Sequence, residues 1–261
     1  MLLPRVIPCL LVHEKGLVKS IKFKDYKYIG DPINAVRIFN EKKVDELIVL
    51  DIDASATNLE PDMKMIKNLA DECRMPLCYG GGIKTVSQAG RIINLGVEKV
   101  AISSAAVENP DLISQISKEL GSQSVIVVLD IKKKLLGRYE IYIHNGKKST
   151  GLDLFSYLKV VVEKGAGEIV INSIDNDGMM NGYDIKLAKS VYDAISIPLI
   201  FLGGCGSQDD IKKLVEETGT IGAAAGSLFV FKGPHKAVLI NYPNREDKEK
   251  LFKNITGETI L

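Results

Sequence analysis

The fold is decided by the stretch Glu46-Leu-Ile-Val-Leu-Asp-Ile-Asp53, which returns 122 residues later as Glu168-Ile-Val-Ile-Asn-Ser-Ile-Asp175. At the same offset, Pro76-Leu-Cys-Tyr-Gly-Gly-Gly82 is matched by Pro198-Leu-Ile-Phe-Leu-Gly-Gly204. Chance similarity between apolar strands is the alternative, but it does not account for the shared Glu, Pro and Gly-Gly positions. Four segments repeated in the same order indicate a doubled structural unit. The two further matching pairs are residues 5–12 with 124–131 and residues 96–107 with 219–230.

Short apolar segments alternate with amphipathic segments along the whole chain. Apolar strands without alternation, separated by helices, indicate a parallel sheet with both faces covered. Eight such units predict an α/β fold, a single (β/α)8 TIM barrel over residues 1–261. Its half-barrels would span about 1–120 and 121–240, with a solvated helical tail at 241–261. The strand candidates are residues 5–12, 46–52, 77–79, 99–102, 125–131, 168–172, 199–202 and 222–225, and the helix candidates include 32–42, 63–73 and 85–95.

The bulk composition disfavours several classes of partner. With 34 basic and 33 acidic residues, the chain has no electrostatic footprint for nucleic acid or for an anionic membrane. The apolar runs are too short to span a bilayer, and the first residues do not resemble a secretion signal. We therefore expect a cytoplasmic protein with a small-molecule or protein partner. The four cysteines, Cys9, Cys73, Cys78 and Cys205, are expected to be reduced core thiols, and no metal or other cofactor is predicted.

Glycine and hydroxyl residues follow the predicted strands, at the end of a barrel where active sites form. Gly-Gly lets the backbone approach a ligand, and Ser ahead of a helix offers N–H and hydroxyl groups to an anion. A single Gly-Gly is more often only a turn, but equivalent positions in both halves favour two phosphate cradles. The ligand would then be a small molecule with a phosphate at each end. The residues assigned to substrate or phosphate binding are Gly81, Gly82, Ser103, Ser104, Asn172, Gly178, Gly203, Gly204, Gly226 and Ser227.

Three carboxylates are candidates for catalysis at the same end. Asp130 ends an otherwise apolar strand, which is a costly position unless it faces the open mouth or has a partner. A carboxylate in a partly dry mouth has its pKa raised and can act as a general acid or base. Asp51 and Asp177 lie on neighbouring loops and could orient the substrate, although Asp177-Gly178 is equally typical of a turn.

Four charged residues begin strands at the opposite end of the predicted barrel. Arg5, Glu46, Lys99 and Glu168 open the first, second, fourth and sixth strands. Half-buried charges need partners, so on physical grounds a ring of salt bridges closing the barrel floor is favoured.

The chain resembles the HisF family, the cyclase subunit of imidazole glycerol phosphate synthase, over residues 1–235. The resemblance is carried by Arg5-Val-Ile-Pro-Cys-Leu10, Gly80-Gly-Gly-Ile83, Ala105-Ala-Val-Glu-Asn-Pro110 and Ser173-Ile-Asp-Asn-Asp-Gly178, among other stretches. It implies the doubled half-barrel, a bisphosphate ligand, and ammonia supplied by a HisH-type glutaminase in a heterodimer. It also implies that ammonia crosses the barrel and is used to cleave and cyclise the substrate.

The resemblance also implies roles for particular residues. The quartet of Arg5, Glu46, Lys99 and Glu168 would be the ammonia gate. Lys19 would bind phosphate. Asp45 and Glu98, beside the gate, would lie on the face that docks the glutaminase.

One departure from the family concerns catalysis directly. The family's first strand ends Pro-Cys-Leu-Asp-Val, and that aspartate is one of two catalytic acid/base groups, the other matching Asp130. Here the strand reads Pro8-Cys-Leu-Leu-Val12, and Leu11 has no titratable proton. Losing one of two catalytic groups typically costs orders of magnitude in rate. Leu202 also stands where the family prefers a small hydroxyl residue, and the loop at 13–16 differs.

Three hypotheses about function follow. In the first, the chain is a HisF-like paralogue that passes ammonia to a sugar amidotransferase, which places an acetamidino-type group on a surface-polysaccharide sugar. In the second, it is a working cyclase of histidine biosynthesis, converting PRFAR and ammonia to imidazole glycerol phosphate and AICAR with Asp130, aided by Asp51 or Asp177. In the third, it is a non-catalytic phosphate-ligand scaffold or an activator of the glutaminase.

Overall fold

Eight parallel strands close into a barrel in the computed structural model, which describes residues 4–253. Each strand pairs with the next, and the eighth pairs with the first from Arg5 opposite Gly222 to Pro8 opposite Ala225. The predicted (β/α)8 barrel is therefore confirmed. The strands are β1 (Arg5–His13), β2 (Leu47–Asp51), β3 (Leu77–Gly80), β4 (Lys99–Ile102), β5 (Val125–Lys133), β6 (Glu168–Ser173), β7 (Leu199–Leu202) and β8 (Gly222–Ala225).

Most helices around the barrel begin at a side-chain cap. Asp31 accepts a hydrogen bond from the Asn34 backbone N–H, and Pro32 follows at the first helical position. Thr85 and Ser207 form capping boxes with the residues three positions later. The helices are α1 (Pro32–Glu41), α2 (Met63–Glu72), α3 (Val86–Asn94), α4 (Asp111–Leu120), α5 (Leu154–Glu163), α6 (Ile185–Ala194), α7 (Gln208–Thr218) and α8 (Arg245–Phe252), and short helices cover Ser104–Glu108 and Ser227–Val230.

The strands divide the core into two apolar clusters, because alternate side chains point to opposite faces. On β1, Val6 and Leu10 pack in the large cluster with the helices, whereas Ile7 and Cys9 pack in a smaller cluster inside the barrel. Burying both faces explains why the strands read as continuous apolar runs in the sequence.

Two antiparallel hairpins at the mouth were not predicted. The first (Gly16–Ile21 and Lys24–Gly30) follows β1, and the second (Tyr139–Ile143 and Lys148–Asp153) follows β5. Their tips meet where the Asn145 amide donates to the Tyr26 hydroxyl at 2.7 Å. A short antiparallel pair, Phe231–Lys232 with Ala237–Val238, lies near the C-terminus.

The remaining expectations about the chain are mostly met within one residue. The predicted helices at 32–42, 63–73 and 85–95 each run one residue too long at one or both ends. The cysteines are free thiols, but Cys73 is half-buried rather than a core residue. The tail contains the helix α8, of which only Leu251 and Phe252 are buried; the tail beyond residue 253 lies outside the described residues. Within residues 4–253, no helix is long and apolar enough to cross a membrane.

Candidate functional site

A cavity occupies the mouth of the barrel, at the carboxyl ends of the strands. It holds about 1100 Å³ of space, part of it open to solvent. The structure brings together here every residue assigned to catalysis or to substrate and phosphate binding. The lining contains Lys19, Asp51, Gly81, Gly82, Ser103, Ser104, Asp130, Asn172, Asp177, Gly178, Gly203, Gly204, Gly226 and Ser227.

Asp130 is the carboxylate best placed for proton transfer in this cavity. It ends the inward-facing row of β5 and lies opposite Asn172 of β6 in the parallel register. The Asn172 Nδ2 donates to its Oδ1 at 2.8 Å. Burial raises the pKa of Asp130 to about 7, opposed by the hydrogen bond from Asn172 and reinforced by the negative charge of Asp177. A carboxyl group that titrates near neutrality can act as an acid or as a base.

Asp51 and Asp177 line the cavity, but their carboxylates also hold the mouth loops. Asp51 Oδ1 accepts the backbone N–H groups of Asp53 at 2.9 Å and Ala54 at 3.1 Å. Asp177 Oδ2 accepts the Ser20 hydroxyl at 2.6 Å and the Phe23 N–H at 3.3 Å, which fastens the first hairpin to the barrel. Burial raises the pKa of both carboxyl groups. Because both carboxylates anchor loops, they are less available for proton transfer than Asp130.

Lys19 brings a buried positive charge to one side of the mouth. Its Nζ donates to the Cys9 carbonyl at 2.6 Å, and burial lowers the pKa of the ammonium group. A Cβ added at Gly226 would collide with the Lys19 Nζ, so only glycine leaves room for the lysine there. The ammonium group thus lies against the start of the Gly226-Ser227 turn, the arrangement expected of a phosphate cradle.

The other predicted cradle combines glycines with hydroxyl groups. Gly81 and Gly82 have φ of +127° and +70°, and an added Cβ at Gly82 would come 2.8 Å from the Leu59 carbonyl. Ser104 Oγ accepts the backbone N–H of His144 at 2.9 Å, so this hydroxyl also anchors the second hairpin. Its proton remains available to a ligand.

A closed ring of four charges forms the floor of the barrel. Arg5 donates one guanidinium N–H to Glu46 and another to Glu168. Lys99 Nζ lies 2.9 Å from Glu46 Oε1 and 3.0 Å from Glu168 Oε2, so positive and negative groups alternate around the ring. Burial alone would lower the pKa of Lys99, but the two carboxylates raise it overall. The predicted ring of salt bridges is present.

An apolar layer separates the floor ring from the mouth cavity. Ile7, Ile48, Ile126, Val170 and Ile200 are fully buried inside the barrel, and none of them lines the cavity. A small molecule travelling along the barrel axis must therefore push these side chains apart. The layer is a barrier to ions, because a charge moved into apolar surroundings loses its hydration.

Leucine side chains form part of the wall of the mouth. Leu11 of β1 lies beside Leu50 of β2 in the register, and both line the cavity with Leu202 of β7. β1 and β5 are four strands apart in the ring, so Leu11 and Asp130 belong to opposite sides of the barrel. β5 contributes the carboxylate of Asp130 to the mouth, whereas position 11 of β1 contributes a leucine.

The two residues predicted to face a partner differ in access. Glu98 is exposed beside the floor. Asp45 is partly covered, because its Oδ2 accepts the Val6 N–H at 2.9 Å and its Oδ1 pairs with Lys248 of α8. A docking surface on this face would thus include α8 as well.

Comparison with known proteins agrees with the architecture and the site. A model of the family described as histidine biosynthesis protein matches residues 5–235. The chain belongs to this family. The HisF-like assignment is supported by a relative 60% identical over 97% of this chain and 100% of its own length, named "Putative imidazole glycerol phosphate synthase subunit HisF", from Leptospira borgpetersenii. A protein of Vibrio vulnificus, whose name is the same but ends in hisF3, is 56% identical over 97% of this chain and 98% of its own. The imidazole glycerol phosphate synthase subunit HisF of Streptococcus mutans is 38% identical over 88% of this chain and 91% of its own.

Sequence reasoning missed the lining residues that this HisF-like chain places on its hairpins. Ser20, Phe23 and Asn145 line the cavity, and the hairpins that carry them were not predicted. The pair Asn145-Gly146 is a strong signal for a tight hairpin turn and could have located the second one. Among residues 4–253, no group of three or more His, Cys, Asp or Glu side chains is arranged to hold a metal ion.

Proposed function

We propose that this HisF-like barrel receives ammonia from a HisH-type glutaminase at its floor and delivers it at the mouth to a sugar amidotransferase. The observation that carries the proposal is Leu11. It occupies the inner row of β1, on the side of the mouth opposite Asp130, where the family resemblance places a second acid/base carboxylate. The barrel thus has the floor expected of an ammonia-conducting subunit and half of the acid/base pair expected of a cyclase.

The neighbouring carboxylates do not replace the missing group. Asp51 accepts two loop N–H groups, and Asp177 accepts a hydroxyl and an N–H from the first hairpin. Using either as a base would weaken the hydrogen bonds that shape the mouth. Leu50 lies beside Leu11 in the strand register and lines the cavity with it, so an immediate neighbour of this position is apolar as well.

The floor supports the first half of the proposal. The ring of Arg5, Glu46, Lys99 and Glu168 is electrically balanced, and its opening requires only side-chain movement. The apolar layer above it admits neutral ammonia more readily than ammonium, which would lose its hydration there. The names of the relatives describe subunits of a synthase, which agrees with a chain that acts together with another subunit.

The test of ammonia reception measures glutamate released from glutamine by the HisH-type glutaminase of the same organism, with and without this barrel. We expect the barrel to raise the rate. Glu98→Lys should reduce the effect by placing a like charge or an unpaired charge in the interface. Glu60→Lys, a reversal at an exposed residue in the loop that follows β2 at the mouth end, should leave it unchanged. No stimulation by the unmodified barrel would refute the proposal.

The acceptor is tested in a histidine auxotroph that lacks its own HisF. We expect no growth with this chain, because Leu11 cannot exchange a proton. Growth would show that the chain is a working cyclase, the second candidate, which is favoured by the near-neutral pKa of Asp130. Growth with Leu11→Asp alone would identify this one position as the reason that cyclase activity is absent.

A further inference from the structure

Two buried side-chain polar atoms among residues 4–253 have no hydrogen-bond partner, the Tyr79 hydroxyl and the Asn172 Oδ1. Tyr79 packs in the cluster between the sheet and the helices, away from the cavity. Asn172 is only 5% exposed and lines the cavity. Leaving a buried acceptor without a donor is unfavourable, so a ligand that donates a hydrogen bond to this oxygen would remove an energetic cost.

The orientation of the Asn172 amide is fixed by its neighbour. Its NH2 group donates to Asp130, which in its ionised form can only accept hydrogen bonds. The amide oxygen is therefore the atom left without a partner. Together the two side chains present two kinds of acceptor, a carboxylate and a neutral carbonyl, and they repel an anion. This argues against the phosphate-binding role that the sequence assigned to Asn172.

We propose that Asn172 and Asp130 form a binding site for ammonia at the point where it enters the cavity. The Asn172 Oδ1 accepts one N–H, and the Asp130 carboxylate accepts another. The inference deepens the proposed function and rests on it.

The chemistry of ammonia fits this pair of acceptors. Ammonia has three N–H donors and one lone pair, so two hydrogen bonds to the wall hold the molecule while the lone pair stays free to attack. A neutral amide oxygen can hold the nitrogen without protonating it. When the nitrogen adds to a carbon–heteroatom double bond of the acceptor, the π electrons of that bond move to the heteroatom and the nitrogen loses a proton. The Asp130 carboxylate is in place to take this proton and to return it to the heteroatom.

The charged and polar groups around the site determine how readily Asp130 ionises and which ligands it attracts. Asp177 lies close enough to Asp130 to oppose its ionisation, and Ser103 and Asn172 donate hydrogen bonds that favour it. Lys19 lies across the mouth, paired electrostatically with Asp177 rather than with Asp130. Lys19 therefore does not compete with a ligand nitrogen for the carboxylate of Asp130.

The test follows the side-chain carboxyl of Asp130 by carbon NMR in the full chain labelled at aspartate, with Asp130→Asn to assign the signal. The pH titration is run in about 0.1 M ammonium chloride and in sodium chloride of the same concentration, so that screening is equal. We expect the ammonium salt, which supplies ammonia at equilibrium, to lower the pKa of Asp130 by about half a unit or more, because a bound nitrogen that donates hydrogen bonds to the carboxylate favours its ionised form. Asn172→Leu should abolish the difference between the two salts. Asn145→Leu, the same change on the hairpin side of the cavity, should preserve it.

Each result decides the inference without deciding the proposed function. An equal response to both salts, or an ammonium effect that survives in Asn172→Leu, would overturn the ammonia site. Inorganic phosphate is a second probe. If phosphate changes the Asp130 signal and Asn172→Leu removes that change, Asn172 binds phosphate, and the ammonia site is overturned as well. Stimulation of the glutaminase is measured in a separate experiment, and its outcome does not depend on the titration of Asp130.

Discussion

Replacing Asp130 with Asn should stabilise the barrel, and by more at pH 8 than at pH 5. Burial raises the pKa of this carboxyl to about 7 in the folded chain, from an ordinary value of 3.8. Between these two values the folded protein holds a proton that the unfolded chain has released. Rising pH therefore favours the unfolded state, and stability falls from about pH 4 up to about pH 7. Asparagine keeps the shape and cannot ionise, so the penalty disappears.

The magnitude follows from the two pKa values. A difference of about three units at about 1.4 kcal/mol each gives a total near 4 kcal/mol. About 2–3 kcal/mol of this is expected between pH 5 and pH 8. Asp130 has partial access to solvent through the cavity, which reduces the cost of its charge, so these values are upper bounds.

The assay is urea unfolding followed by circular dichroism, for the unmodified chain and for Asp130→Asn, at several values from about pH 5 to pH 8. The quantity of interest is the difference in unfolding free energy between the two proteins and how it grows with pH. Asp193→Asn, an exposed aspartate paired with Lys189 on α6, is the control and should show no such growth. A difference that stays constant across the range would refute the argument that Asp130 is ionised at a cost.

Two further predictions concern the floor and the hairpins. Lys99→Met should cost about 3–5 kcal/mol in urea unfolding, because it leaves two buried carboxylates with one cation, whereas exposed Lys159→Met should cost little. A loss below about 1 kcal/mol would mean that the ring is solvated like a surface pair. Gly178→Ala should destabilise by about 1–3 kcal/mol, because φ is +68° and the new Cβ would collide with the Ser20 carbonyl. Gly137→Ala, with φ of +78° and open space, is the control, and equal losses would show that only backbone strain matters.

The barrel could be predicted because its signals are long and repeated. Each strand is buried on both faces, so it reads as a continuous apolar run, and the repeat supplies an independent count of the units. The first hairpin could not be found in this way. Its turn places Lys22 and Phe23 at φ of +53° and +62°, and neither lysine nor phenylalanine is a residue type typical of positive φ. Its second strand, Lys24–Gly30, is largely exposed and so lacks the apolar pattern of a strand.

The site could be predicted as a set of residues but not as a set of roles. Strand ends in a parallel barrel meet at one mouth, so Asp130, Asp51 and Asp177 had to lie near one another. What each carboxylate does depends on which N–H groups reach it, and those come from loops whose course the sequence does not reveal. Asp51 illustrates this, since its two hydrogen bonds come from residues two and three positions further along.

The position of the apolar layer bears on how such a chain could change its chemistry. The charged ring lies on one side of Ile7, Ile48 and their neighbours, and the cavity lies on the other. No hydrogen bond of the ring residues found in the structure reaches the cavity lining, because each carboxylate of the ring is occupied by both Arg5 and Lys99. Substitutions at the mouth, such as leucine at position 11, therefore leave the electrostatics of the floor unchanged. Under the proposed function, the fate of ammonia can change at one end of the barrel while its reception at the other end is preserved.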